Sequence, residues 1–93
     1  MRYRRANAAG GTYFFTVNLA DRDADTLARH IDDLRATINK VKNTHPFSLV
    51  AMVVLPEHLH AIWRLPLGDA DYPTRWALIK AGFSRRISAD EYR

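Results

Sequence analysis

The sequence predicts a small α+β domain in the order β-α-β-β-α, and three observations carry that prediction. Residues 10–19 are β-rich, residues 27–41 carry one helical apolar stripe, and two apolar β-rich segments, 47–55 and 58–65, are separated only by Pro56-Glu57. A chain of 93 residues with 47% hydrophobic and 26% charged side chains buries one modest core. Leu, Ile, Val and Phe number 23, about a quarter of the chain and above the range of disordered sequences. We therefore take 1–93 as one domain, with 1–9 as a basic arm.

Gly10-Gly11 opens the first strand, where glycine permits a turn or a close backbone approach. Alternation then sets Tyr13, Phe15 and Val17 on one face against Thr12, Phe14 and Thr16, a pattern for a strand inside a sheet. Asp21, Asp23 and Asp25 crowd the start of the following helix, where carboxylates suit free N–H groups and the positive end of the dipole. Leu27, Ile31, Leu34, Ile38 and Val41 form its apolar stripe, and Asn43-Thr44-His45-Pro46 stops it. Phe47–Leu55 and His58–Leu65 read as an antiparallel hairpin, with a wide or bulged turn because Pro-Glu is not a favoured two-residue loop. After a loop at 67–73, Trp76, Ile79 and Phe83 mark a last helix from Thr74 onward. This order is ferredoxin-like with its last strand absent or supplied by a partner. An open sheet edge follows, and with it an expected homodimer.

Several function classes are excluded by composition. Without cysteine there is no disulfide framework, thiolate metal site or cysteine nucleophile. The longest apolar run, Leu49–Pro56, is far too short to span a bilayer, and no signal peptide follows the basic start. The expectation is a cytoplasmic protein with no membrane partner. Its net charge of +4 is concentrated at the ends: +3 over residues 1–5, +3 over 75–93 and −2 between. Basic ends around an acidic body suit a polyanion.

His58 and His60 are the residues most suggestive of chemistry. Positions i and i+2 of a strand share a face about 7 Å apart, so two imidazoles there can share one divalent ion. Leu59, Ala61, Trp63 and Leu65 are uniformly apolar and take the core side. Glu57 is a poor third ligand, because alternation points it to the other face. The pair alone also fits two surface histidines that bind nothing, and His30 and His45 read as surface residues.

Longer segments carry a resemblance. Arg4-Arg5 with Gly10–Val17, then Val53–Trp63, then Asp69–Trp76 with Ile79-Lys80 and Phe83-Ser84 resemble, in order, the REP-associated tyrosine transposases. These belong to the HUH single-strand transposases, named for a histidine–hydrophobic–histidine metal pair. The resemblance implies binding of single-stranded or hairpin repetitive DNA. It also implies metal-assisted strand cleavage and rejoining through a phosphotyrosine, and hence a nucleoid-associated protein. It assigns His58 and His60 to a divalent metal, Mg2+ or Mn2+, with manganese suiting two imidazoles at least as well. Arg4 and Arg5 match the family's hairpin-contacting arm. Arg2, Lys80, Arg85 and Arg86 join them as expected phosphate contacts. The family's nucleophilic tyrosine and third metal ligand lie on a later helix, beyond Arg93. No catalytic residue is therefore expected in this chain, and Tyr92 is not expected to be the nucleophile. Two alternatives use the same order of elements: a non-catalytic single-strand nucleic-acid module stacking bases on Tyr13 and Phe15, and a bare dimerisation domain.

Overall fold

The computed structural model describes residues 2–8, 11–18 and 25–91, with 2–8 and 90–91 described by backbone alone. In chain order they form β1 (Arg2–Ala8), β2 (Thr12–Asn18), α1 (Thr26–Arg29), α2 (Ile31–Thr44), β3 (Ser48–Val54), β4 (His58–Arg64) and α3 (Tyr72–Glu91). The strands make one sheet in the order β1-β2-β4-β3, every neighbouring pair antiparallel. β2 and β3 thus run the same way with β4 between them, the split β-α-β arrangement expected from the sequence.

The arm is where expectation and structure part. Arg2–Ala8 pairs along its whole length with β2, from Arg2 opposite Asn18 to Ala8 opposite Thr12. The sheet position expected to be vacant is therefore filled by the chain's own N-terminal segment. The edge beside β2 on which the homodimer was predicated is covered. The segment RYRRANA has no apolar alternation, so no strand signal stands in it. Its pairing follows from the unpaired N–H and C=O groups that an inner strand would otherwise leave open. Gly11, at φ 77°, turns into β2 at a conformation other residues adopt at a cost.

Two further differences concern the helices. The stripe expected on one helix is divided at His30 into α1 and α2, although Leu27, Leu34, Ile38 and Val41 are buried as foreseen. Asp25 holds the N-cap position of α1 but makes no side-chain cap; its carboxylate lies 3.7 Å from Arg29 Nε instead. Asp21, Asp23 and Tyr92 lie outside the described residues. His30 is half-buried, with Nδ1 3.4 Å from Asp33 Oδ2, rather than a surface residue.

α2 and α3 pack on one face of the sheet. Leu34, Ile38, Ile79 and Phe83 join Phe15, Val17, Leu59 and Trp63 in a single core. Aromatic rings dominate it: Trp63 lies 4.2 Å from Phe47, 4.5 Å from Trp76 and 4.8 Å from Phe15, centroid to centroid. Arg75, only 3% exposed, ties the loop and α3 to the end of α2. Its guanidinium donates to the carbonyls of His45, Pro46 and Asp71 and to both carboxylate oxygens of Asp69. That fork holds the Asp69 carboxyl at a pKa of about 2, below its ordinary 3.8, chiefly through the Arg75 hydrogen bonds. Leu55 N–H donates to the His58 carbonyl, in register with Val54 opposite Leu59, so Pro56 and Glu57 alone make the β3–β4 turn and the expected wider turn is not seen; the irregularity lies in β3, between Leu49 and Ala51. Among the described residues no helix is long and apolar enough to cross a membrane.

Candidate functional site

With the helices on one side, alternation leaves the other side of the sheet open, and the histidines stand there. Leu59, Ala61 and Trp63 of β4 are buried, while His60 between them is exposed and His58 is half-buried. The two imidazoles meet edge to face with centroids 5.1 Å apart. Register supplies their neighbours: β2 sets Thr16 opposite His60 and Asn18 opposite His58. Thr16, Asn18, Glu57, His58 and His60 line a cleft of about 310 Å³.

Each ring is fixed through the same atom. His60 Nδ1 and Thr16 Oγ1 share a hydrogen bond of 3.1 Å, and His58 Nδ1 lies 2.9 Å from Glu57 Oε1. A carboxylate can only accept, so His58 Nδ1 is the donor here, and in the neutral ring that leaves the lone pair on Nε2. This is how metal-binding imidazoles are commonly oriented, with an outer carboxylate or hydroxyl setting ring angle and tautomer. Two neighbouring imidazoles with both Nδ1 atoms engaged fit a two-ligand share of a divalent metal site. Among the described residues no cluster of three His, Cys, Asp or Glu completes one.

Glu57 is thus the residue that strand alternation misplaced. It stands in the turn before β4, where period-two alternation does not apply, and its side chain turns back to His58. Thr16 and Asn18 carried no signal of their own, because they become site residues only through the β2–β4 register.

The expected phosphate contacts do not converge. The backbone register places Arg4 opposite Thr16 and Arg2 opposite Asn18, in line with the two histidine rows, and Arg5 opposite Phe15 in the alternate set. Lys80, Arg85 and Arg86 belong to α3, in the layer on the far side of the sheet. Arg85 and Arg86 line a groove of about 340 Å³ between α2 and α3 together with Lys40. Arg75, counted with the C-terminal charge, is spent on the internal fork described above. Tyr13 and Phe15, the aromatic platform of the non-catalytic single-strand nucleic-acid module, are 7% and 2% exposed and lie in the core, so they can stack no base. Phe14, between them, is 43% exposed on the histidine face.

No protein-family model matches the chain. It is 51% identical over 82 residues to the REP-associated tyrosine transposase of Escherichia coli K12, covering 88% of this chain and 50% of that protein. It is 38% identical over 85 residues to a candidate REP-associated tyrosine transposase of Haemophilus influenzae, covering 91% and 48%. Among solved structures, a REP-associated tyrosine transposase bound to a REP hairpin superposes with a TM-score of 0.83 at 48% identity, over 95% of this chain and 53% of that one. A candidate transposase from Deinococcus radiodurans shares the fold, with a TM-score of 0.68 at 18% identity, over 97% and 68%. The chain spans about half the length of the curated relatives it matches. Over the length it spans, this chain belongs to the REP-associated tyrosine transposases.

Proposed function

We propose that this chain binds hairpin or single-stranded DNA on the open face of its sheet, with His58 and His60 contributing two ligands to a divalent metal at a phosphate. The observation that carries this reading is the histidine cleft: two imidazoles turned away from the core, each steadied through Nδ1, beside a strand whose register brings Arg2 and Arg4 into line. The hairpin bound to the 48%-identical structure supports the same partner. Magnesium or manganese there supplies Lewis-acid polarisation of a phosphoryl oxygen. Glu57 and Thr16 orient the rings, and the N-terminal arginines neutralise backbone charge.

The family's cleavage and rejoining chemistry, DNA transposition by recombination of single strands, needs a tyrosine at this cleft. Tyr13 and Tyr72 both pack on the core side, 5.4 Å apart, so neither serves. Among the described side chains no tyrosine stands at the cleft, and the function these residues support is DNA binding and metal holding. A DNA partner places it with the nucleoid in the cytoplasm. Self-association is the second reading, carried by edge strand β3, whose Val50 and Val53 are 51% and 56% exposed. A single monomeric species in light scattering at assay concentrations removes it.

Manganese titration by calorimetry, on the wild type and on His58→Ala/His60→Ala, tests the metal site. Binding that vanishes in the double variant is expected; equal heats in both sink the assignment. Hairpin affinity is expected to fall steeply with salt. No covalent protein–oligonucleotide adduct is expected with manganese present.

A further inference from the structure

Phe14 has no part in the histidine cleft or in the core. It sits on an inner strand, where β1 and β4 flank it on either side, yet 43% of its surface is open to solvent. Its register partners across β4 and β3 are Ile62 and Ala51. With Val53, which lies opposite His60, they line a second recess of about 210 Å³ on the open face. Thr16 and His60 line both this recess and the histidine cleft, so the two adjoin across that pair. One compartment is polar and presents two imidazoles; the adjoining one presents an aromatic ring and aliphatic walls. Their rows are one strand repeat apart, about 7 Å.

A nucleotide has this same division, an anionic phosphate joined through a sugar to a flat apolar-faced base. We infer that Phe14, walled by Ile62 and Val53, is a stacking site for one unpaired base whose phosphate, or whose neighbour's phosphate, lies at His58 and His60. This deepens the proposed function and rests on it. Adjacency to the histidine cleft identifies the occupant, because a base anchored by its phosphate next door reaches the recess without a further anchor. A base held in a duplex keeps its faces against its neighbours and cannot enter, so the recess selects for unpaired nucleotides beside a stem. Stacking on a phenyl ring is tolerant of base identity, so the site confers strandedness rather than sequence.

The test uses the full 93-residue chain and two probes: a blunt hairpin, and the same hairpin carrying a short single-stranded extension with 2-aminopurine at successive positions. Wild-type protein is expected to quench 2-aminopurine at one position near the stem. Phe14→Ala should abolish that quenching and weaken binding of the extended hairpin by about tenfold or more, while leaving the blunt hairpin unchanged. Phe14→Trp should restore both signals, which separates stacking from damage to the fold. Unchanged quenching in Phe14→Ala overturns the inference, and so does an equal loss of affinity for both hairpins. If extended and blunt hairpins both bind but no position is quenched in the wild type, the stacking site is wrong and the hairpin reading stands. If neither hairpin binds the wild type, both fall.

Discussion

The two faces of the sheet are built from alternate residues of the same strands, and they have opposite properties. On β2, Tyr13, Phe15 and Val17 are buried while Phe14, Thr16 and Asn18 face the open side; on β4, Leu59, Ala61 and Trp63 are buried while His58, His60 and Ile62 do so. The buried set meets α2 and α3 in an aromatic cluster around Trp63. The open set forms two adjoining recesses, one polar and one apolar. A one-residue shift in register would exchange them, so the apolar pattern that fixes the core also fixes which residues can meet a ligand. Folding and binding therefore draw on different side chains one position apart.

The sharpest way to break this comparison is to truncate one residue on each face. Trp63→Ala removes a ring in contact with Phe47, Phe15 and Trp76 and is expected to cost about 3–5 kcal/mol, much of the stability of so small a domain. His60→Ala, three positions before it on the same strand, is expected to stay within about 0.5 kcal/mol in urea unfolding while losing metal binding. Comparable losses in both variants would mean that the open face is part of the core after all.

Next in size is the Arg75 fork, which holds the helical layer to the loop from outside the aromatic cluster. Arg75→Ala leaves the His45, Pro46 and Asp71 carbonyls without their donor and is expected to cost about 3 kcal/mol by denaturation. Its partner gives the fold an acid sensitivity of definite sign. The folded-state pKa of Asp69, about 2, lies below its ordinary 3.8, so its contribution is complete above about pH 4 and is lost as pH falls toward 2. Thermal unfolding of wild type and Asp69→Asn between pH 5 and 2 should converge at the acid end. A gap that persists there refutes the assignment.

The core face was legible in the sequence because period-two and period-3.6 apolar patterns report burial directly. Of the stripe Leu27, Ile31, Leu34, Ile38 and Val41, all but the partly buried Ile31 are in the core, as are Trp76, Ile79 and Phe83. The open face was legible only at His58 and His60, whose spacing is itself the signal. Thr16 reaches His60 through a pairing between strands 44 residues apart, and no local pattern encodes such a pairing. β1 was hidden for a related reason. Its sequence has no apolar alternation to read, and what places it is the hydrogen-bonding need of β2. Arg75 shows the reverse error: a cation counted toward a polyanion partner is consumed inside the molecule by Asp69 and Asp71 of the preceding loop and by the His45 and Pro46 carbonyls after α2.

The smallest effect expected is the most informative about the open face. Glu57→Gln replaces the carboxylate that accepts from His58 Nδ1 with an amide that can accept or donate, at nearly the same shape. If the carboxylate serves to hold the imidazole tautomer and raise the basicity of Nε2, manganese affinity should fall by about tenfold, at the lower end of what outer-sphere substitutions cost. Unfolding should be unchanged, because the substitution keeps the size of a part-exposed side chain and leaves the turn's backbone contact, Leu27 N–H to the Pro56 carbonyl, intact. Thr16→Val provides the matched probe on His60, removing the hydroxyl while keeping the β-branched shape. If Glu57→Gln weakens manganese binding and Thr16→Val does not, His58 depends on its partner for orientation and His60 is already held by strand geometry. If neither substitution alters the titration, the Nδ1 contacts are incidental, and the two rings are positioned by the β4 backbone alone.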